Sequence, residues 1–173
     1  MPLLPSGAMA QDEVRWLEPR ERDAWIALTA LTEVLPGAVD SQLKRDAGLN
    51  RFEYMLMAGL SESDGGAMLM SDIARFASGS ISRASHAVTR LERQGFVERR
   101  PYEPDGRHIE VRLTDAGTAK MAAAAPQHVC EARRLVIDRL SPAQLRQLDK
   151  IARTLVEGID PDLAAVLPGG DCG

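Results

Sequence analysis

Several features that mark other protein classes are scarce or missing in this sequence. Aromatic residues make up only 4% of its 173 residues, so a hydrophobic core must consist mainly of aliphatic side chains. No apolar run reaches the roughly 18 residues of a membrane span. Residues 1–11 contain neither Lys nor Arg and no long apolar stretch, which argues against a signal peptide. The two cysteines, Cys130 and Cys172, do not make a disulfide framework, and we expect a cytoplasmic protein.

The net charge of −4 does not by itself favour a nucleic-acid partner. Phosphate contacts, however, depend on the local field and not on the sum over the chain. Between residues 75 and 107 there are seven Arg and four Asp or Glu, a local excess of +3, and Lys is absent from this stretch. Charge therefore leaves DNA binding open, and the positions of these arginines must decide it.

Periodicity and capping residues divide the first half of the chain into helices. Residues 1–12 contain Pro and Gly without a periodic pattern, and we expect a flexible arm. Apolar residues recur at helical spacing over 19–35, and Pro36-Gly37 predicts a kink or an interruption before the helical region stops at Gly48. Capping residues then predict the starts of three further helices, at Asn50, Ser71 and Ser80. A short apolar run over 68–70 precedes the second of them, and Gly95 ends the third.

Beyond Gly95 the period changes to that of a β-strand. Residues 96–100 are strand-like, 101–106 form a predicted turn, and Ile109, Val111 and Leu113 alternate with polar residues. A β-hairpin with 104–106 at or near its tip is therefore predicted. Thr114 opens a long helix in which Pro126 predicts a kink or break. Ser141-Pro142 is a strong start signal for the last helix, and the chain from Pro161 onward is predicted to be a flexible tail.

The segment 80–94 has the two faces that a DNA-recognition helix needs. Ile81, Ala84, Val88 and Leu91 lie at helical steps and are predicted to be buried. Polar residues occupy the other faces, where Arg is able to pair with guanine and Ser or His to reach phosphates or base edges. A plain amphipathic helix with a solvated face would give the same pattern. The hairpin directly behind it favours a winged helix-turn-helix, with Arg107 near its tip for the minor groove and Asp105 placed to hold that guanidinium.

Several short motifs lie in and around the predicted winged helix-turn-helix: Ile73-Ala74, Ser82-Arg83-Ala84-Ser85, Val88-Thr89-Arg90-Leu91-Glu92, Gly95-Phe96-Val97-Glu98-Arg99, Asp105-Gly106-Arg107 and Val111-Arg112-Leu113-Thr114-Asp115-Ala116-Gly117. With these motifs the sequence resembles the MarR family of bacterial regulators, and the resemblance runs over roughly residues 20–157. It implies a homodimer that binds a palindromic operator in double-stranded DNA and represses transcription. Carried over residue by residue, it assigns DNA contacts to Ser80, Ser82, Arg83, Ser85, His86, Arg90, Asp105 and Arg107. Gly106 and His108 depart from the family's usual wing.

The last helix supports the dimer independently of the resemblance. Its apolar stripe is too long for a chain with so few large side chains to cover, and a second copy would bury it; the stripe comprises Leu145, Leu148, Ile151, Ala152, Leu155 and Ile159. A helix that only covers its own domain is the alternative. We thus expect a mostly α-helical fold with a small β-hairpin wing. Its parts are an arm at 1–12, an N-terminal dimerisation region at 13–48, a winged helix-turn-helix domain at 49–113, C-terminal dimerisation helices at 114–159 and a tail at 160–173.

Two regulatory sites are weaker predictions. Trp25, Tyr54 and Met57 fall where the family binds small aromatic or phenolic effectors, although apolar residues at this spacing are more often core. Cys130 would make the chain a redox-sensing regulator if Arg133 and Arg134, one turn away, lowered its thiol pKa; a lone helical Cys is more often a packing residue.

Other function classes are poorly supported by the motifs. No nucleotide-binding loop, serine-nucleophile elbow, zinc-protease or dinucleotide pattern is present, so no enzyme and no cofactor are predicted. His128 and Cys130 are two residues apart on a helix and face different directions, which argues against a metal site. A winged-helix module that binds another protein is the remaining alternative, and it would be expected to carry an apolar or acidic outer face on the 80–94 helix.

Overall fold

The computed structural model describes residues 14–102 and 107–167, which fall into two compact units with the boundary between Leu35 and Pro36. The fold is mostly helical with a small antiparallel sheet. Its helices are α1 (Pro19–Ala47), α2 (Arg51–Glu62), α3 (Met70–Phe76), α4 (Ile81–Arg93), α5 (Asp115–Leu135), α6 (Pro142–Ile159) and α7 (Pro161–Val166). Its strands are β1 (Ala67–Leu69), β2 (Val97–Pro101) and β3 (Ile109–Leu113). Within the first unit, large apolar side chains such as Trp25 are exposed.

Side-chain caps begin most of these helices where the sequence predicts. Asn50 and Glu53 form a reciprocal capping box at the start of α2, and Ser141 does the same with Gln144 at α6. The hydroxyl of Ser80 accepts the backbone N–H of Arg83, which starts α4. At the other end of α4, Gly95 adopts a φ of +77°, and the next N–H reaches back to the carbonyl of Leu91. Only a residue tolerant of this left-handed conformation allows so abrupt a stop before β2.

The predicted hairpin is present, and the apolar run before α3 adds a third strand to it. The sheet order is β1-β3-β2, with Arg99 opposite Val111 in one antiparallel pair and Met68 opposite the same Val111 in the other. A run of three residues is too short to show a strand period, which is why β1 was not predicted. The predicted turn over 101–106 begins too early, because Pro101 pairs with Ile109 as the last residue of β2; residues 103–106 lie outside the described part of the chain.

The core of the second unit lies among α2, α3, α4, α5 and the sheet. Its fully buried large side chains are Leu43, Leu49, Leu56, Met57, Leu60, Ile73, Val88, Leu91 and Val111. The prediction that Ile81 is buried with Ala84, Val88 and Leu91 is wrong, because Ile81 is 60% exposed. The buried stripe of α4 comprises Ala84, Ala87, Val88 and Leu91 instead. Ile81 lies one turn before this stripe and lines a surface groove.

Several other local expectations are corrected. Neither Pro36 nor Pro126 breaks its helix, because each lies inside a continuous helix that tolerates the loss of one backbone N–H; a kink at either proline stays a prediction. Helix α3 begins at Met70 rather than after a cap at Ser71. Within the predicted flexible tail, residues 161–166 form α7, because the Asp160 carboxylate accepts the N–H of Leu163 and proline occupies the first helical position. Residues 168–173, with Cys172, are outside the described part of the chain.

Candidate nucleic-acid interface

Helix α4 presents a polar face to the surface and an apolar face to the core. Ser82, Arg83 and His86 are exposed, whereas Ser85 is half-buried. The helix is fixed by its Ser80 cap, by the buried stripe and by contacts with α2 and α3. Its outer side chains are therefore held on a rigid support, which is what recognition of base edges in a major groove requires.

Two surface grooves border α4. We call the first the basic groove; it measures about 680 Å³ and is lined by Pro36, Gly37, Asp40, Lys44, Asn50, Arg51, Phe52, Arg83, His86, Ala87 and Arg90. We call the second the wing groove; it measures about 290 Å³ and is lined by Leu69, Met70, Ser71, Ile81, Ser85, Arg99, Arg107, His108 and Ile109. Helix α4 thus separates a groove shared with α1 and α2 from a groove shared with the hairpin.

Arg83 lies over the ring of Phe52, with the guanidinium carbon 4.1 Å from the ring centroid. This cation–π contact orients the guanidinium while leaving its N–H donors available. The same helical turn begins with Ser80, whose hydroxyl accepts the Arg83 N–H at 3.2 Å. Ser80 therefore already serves as a cap, and a DNA contact from it remains a prediction.

Arg90 has an internal partner that the sequence does not reveal. Its guanidinium lies 2.9 Å from a carboxylate oxygen of Glu53, a side chain that is only 8% exposed. The other oxygen of Glu53 accepts the N–H of Asn50 at 2.9 Å. Arg90 consequently ties α4 to the start of α2, and it is available to DNA only through the exposed half of its side chain.

Arg99, to which the sequence analysis assigned no role, connects β2 to α4. Its guanidinium donates to the Glu92 carboxylate, to the carbonyl oxygen of Ser85 at 2.8 Å and to the hydroxyl of Thr89 at 2.9 Å. Its backbone N–H also donates to Glu92. The alternation of side chains along a strand could have predicted this role. Arg99 lies two residues after buried Val97 and therefore on the same inward face, where a charged group requires partners.

At the wing, Arg107 and His108 line the wing groove, and the Tyr102 N–H donates to the His108 carbonyl at 2.9 Å to close the hairpin. The Ser85 side chain lines the same groove, so the recognition helix and the wing share one surface there. Asp105 and Gly106 lie outside the described residues. The expectation that Asp105 orients Arg107 therefore stays a prediction.

Comparison with known proteins identifies the family. Residues 49–109 match the model of the MarR family. The structure is similar to that of Sco3205, a MarR family transcriptional regulator from Streptomyces coelicolor solved in complex with DNA. The two share 38% sequence identity with a TM-score of 0.83, over 87% of this chain and 94% of Sco3205. The chain belongs to the MarR family.

Sequence relatives of this MarR protein are also regulators. It is 30% identical over 100 residues to YfiV, an uncharacterized HTH-type transcriptional regulator from Bacillus subtilis, and the match covers 57% of this chain and 60% of YfiV. It is 25% identical over 121 residues to the transcriptional repressor MprA from Escherichia coli, a match that covers 69% of this chain and 68% of MprA. The chain is thus a transcriptional regulator of the MarR family.

The effector candidates of this MarR regulator lie in different settings. Tyr54 and Met57 are buried in the core, and Tyr54 packs against His128 with 4.5 Å between ring centroids. Burial raises the pKa of the Tyr54 phenol and lowers the pKa of the His128 imidazole. Trp25 is 60% exposed. An effector role for the three residues stays a prediction, and two of them have packing roles.

The redox candidate Cys130 is exposed, but both neighbouring arginines are engaged elsewhere. Arg134 donates to both oxygens of Glu131 at 2.7 Å, and Arg133 pairs with Asp138. Redox sensing by Cys130 remains a prediction. Within residues 14–102 and 107–167, no group of three His, Cys, Asp or Glu side chains is placed to hold a metal ion, and no helix is long and apolar enough to cross a membrane.

Proposed function

We propose that this MarR regulator binds a palindromic operator in double-stranded DNA as a homodimer and represses transcription in the cytoplasm. The observation that carries the proposal is the outer face of α4, where Ser82, Arg83 and His86 are exposed on a capped helix anchored in the core. A helix of this kind fits a major groove about 12 Å wide and offers donors to base edges. The DNA complex of Sco3205 supports the same use of the fold in a relative.

The wing supplies the second contact. Arg107 lines the same groove as Ser85 of α4, so an arginine at the hairpin lies beside the recognition helix. Once α4 occupies a major groove, this position brings Arg107 to the adjacent minor groove, whose negative potential attracts Arg. Gly106 and His108 differ from the family's usual wing sequence, but the wing arginine itself, Arg107, is present.

The apolar surface of α6 supports a homodimer. No residue of α6 is buried within the chain, and its stripe of Leu148, Ile151, Leu155 and Ile159 is exposed. Each such side chain, once covered, contributes about 1.5–3 kcal/mol to association, so the stripe strongly favours a partner surface. A second copy of the same stripe is the simplest partner, and the resulting two-fold symmetry matches a palindrome.

Repression and its release complete the proposal. The relative MprA is a transcriptional repressor, which supports the same sign of regulation here. Release by a small aromatic or phenolic effector requires tighter effector binding when the two winged domains of the dimer are spaced unsuitably for DNA. An effector that binds the protein and leaves operator affinity unchanged would contradict this part of the proposal.

The proposal is tested with duplexes selected from a random pool. Fluorescence anisotropy over a salt series should show saturable binding to a palindrome, one dimer per duplex, with a steep dependence on salt. Arg107→Ala should weaken binding, whereas Arg146→Ala, a change on the exposed surface of α6, should not. If no sequence is selected and no duplex binds at low salt, the chain is instead a winged-helix protein-interaction module.

A further inference from the structure

The basic groove concentrates positive charge in an otherwise acidic protein. Four of the side chains that line it are cationic, Lys44, Arg51, Arg83 and Arg90, and among its described lining residues Asp40 is the one carboxylate. Arg90 is paired with Glu53, so the groove has a net charge of +2, in contrast with the net charge of −4 for the chain. Two of the cations, Lys44 and Arg51, come from α1 and α2 and therefore lie outside the recognition helix and the wing.

Asp40, the single carboxylate that lines the groove, holds Lys44 and Arg51 in place on the side formed by α1 and α2. One oxygen of Asp40 lies 2.6 Å from the Lys44 ammonium, and the other accepts the backbone N–H of Arg51 at 2.8 Å. These two hydrogen bonds lower the pKa of Asp40, so it stays ionised and keeps both partners in place. Its position fixes the end of α1 against the start of α2 and directs Lys44 to the groove.

The Arg51 guanidinium is exposed and lies beyond 4 Å of every described carboxylate. The Arg83 guanidinium also forms no ion pair with a described carboxylate, and it lies over the ring of Phe52. Because the N-terminal end of α2 opens between them at Asn50, its partial positive charge adds to the field. The groove therefore has more cations than carboxylates, which suits an extended polyanion.

The position of the groove indicates which polyanion fits. A helix in a major groove is bordered on both sides by sugar–phosphate backbones. On one side of α4 the wing groove carries Arg107 and His108; on the other the basic groove carries Lys44 and Arg51. With α4 in a major groove, the two grooves would therefore face the two sugar–phosphate backbones.

We propose that the basic groove holds the sugar–phosphate backbone of one operator strand, with Arg51 and Lys44 as phosphate-binding residues on the wall formed by α1 and α2. The inference rests on the proposed DNA binding and extends it to a surface outside the helix-turn-helix and wing. Phosphate contacts position a protein on DNA without reading sequence. Arg51 and Lys44 therefore set affinity and its salt dependence, and the exposed residues of α4 set specificity.

The test compares Arg51→Gln and the double variant Lys44→Gln/Arg51→Gln with the wild-type dimer by anisotropy, on the selected duplex and on a scrambled one. Each lost phosphate contact should reduce the slope of log K against log salt by about 0.9, which at 0.1 M salt is about eightfold in affinity. Both duplexes should lose affinity equally. Arg51→Lys should retain most of the slope, and Arg146→Gln is the matched control.

The inference would be overturned if both variants kept the wild-type slope of log K against log salt, or if affinity fell for the selected duplex alone. The proposed DNA binding would stand in either case. A wild-type protein that binds no duplex would overturn both. A free phosphate compound is the other source of the same chemistry, so inorganic tripolyphosphate is titrated without DNA in a thermal-shift assay. The backbone contact would be refuted by two results together: tripolyphosphate stabilises the wild type saturably but not Arg51→Gln, and the salt slope of DNA binding is unchanged in that variant. The groove would then be assigned to a small anion.

Discussion

Replacing Arg99 with Met should loosen the connection between the wing and the recognition helix. Methionine keeps most of the aliphatic stem but removes the donors to Glu92, Ser85 and Thr89. Hydrogen bonds to a charged group contribute about 1.5–3 kcal/mol each, but Glu92 is partly exposed and recovers hydration when its partner is lost. We therefore expect a net loss of about 2–3 kcal/mol in unfolding free energy, or a melting temperature lower by roughly 5–10 °C.

The matched control for this change is Arg100→Met. Arg100 is the next residue of β2 and pairs with Glu98, but the Arg100 side chain is 56% exposed against 24% for Arg99, so the pair contributes at most about 1 kcal/mol. A double-mutant cycle of Arg99→Met with Glu92→Gln, followed by thermal melting, should give a coupling energy of about 1–3 kcal/mol. Operator affinity should also fall at temperatures where Arg99→Met is fully folded. A melting temperature equal to that of the Arg100 variant would refute the anchoring role.

Three further perturbations test other parts of the structure. Ile151→Glu, on the exposed stripe of α6, should convert the dimer to a folded monomer in sedimentation equilibrium; an unchanged dimer would place the interface elsewhere. Gly117→Ala should destabilise by about 3 kcal/mol or more in denaturant titration, because its Cβ would lie 2.0 Å from the Phe96 carbonyl oxygen, whereas Gly158→Ala meets nothing within 4 Å and should stabilise slightly. Burial lowers the pKa of His128 below its unfolded value of about 6.5. Its contribution to stability is therefore complete above that pH and is lost as pH falls through the folded pKa. His128→Gln should reduce the change in melting temperature between pH 7 and pH 5.

Helix boundaries were predictable where a side chain caps the helix. Asn50, Ser80, Thr114 and Ser141 all accept the backbone N–H that their sequence positions imply. Without a side-chain cap the start of α3 was predicted wrongly, and the breaks that Pro36 and Pro126 allowed are not present. Side-chain caps therefore predict where a helix starts, whereas tertiary contacts decide whether a helix continues past a proline.

The exposed face of the candidate site was predictable, but the partners of its residues were not. Ser82, Arg83 and His86 occupy the outer face of α4 as periodicity predicts. The proposed role of Lys44 and Arg51 was missed because they lie 37 and 30 residues before the first residue of α4, and only the packing of α1 and α2 brings them beside it. Non-local contacts of this kind leave no periodic signal.

The arginines of the winged domain therefore divide into two groups that composition cannot separate. Arg90 and Arg99 each contact a carboxylate of the same domain and hold α4 against α2 and β2. Arg83 and Arg51 form no ion pair with a described residue and remain able to meet phosphates or bases. A local excess of charge counts both groups alike, although a buried pair contributes little to the external field. Because an anchoring arginine fixes geometry, its loss should reduce affinity without changing the salt slope, whereas loss of an outward arginine should change both.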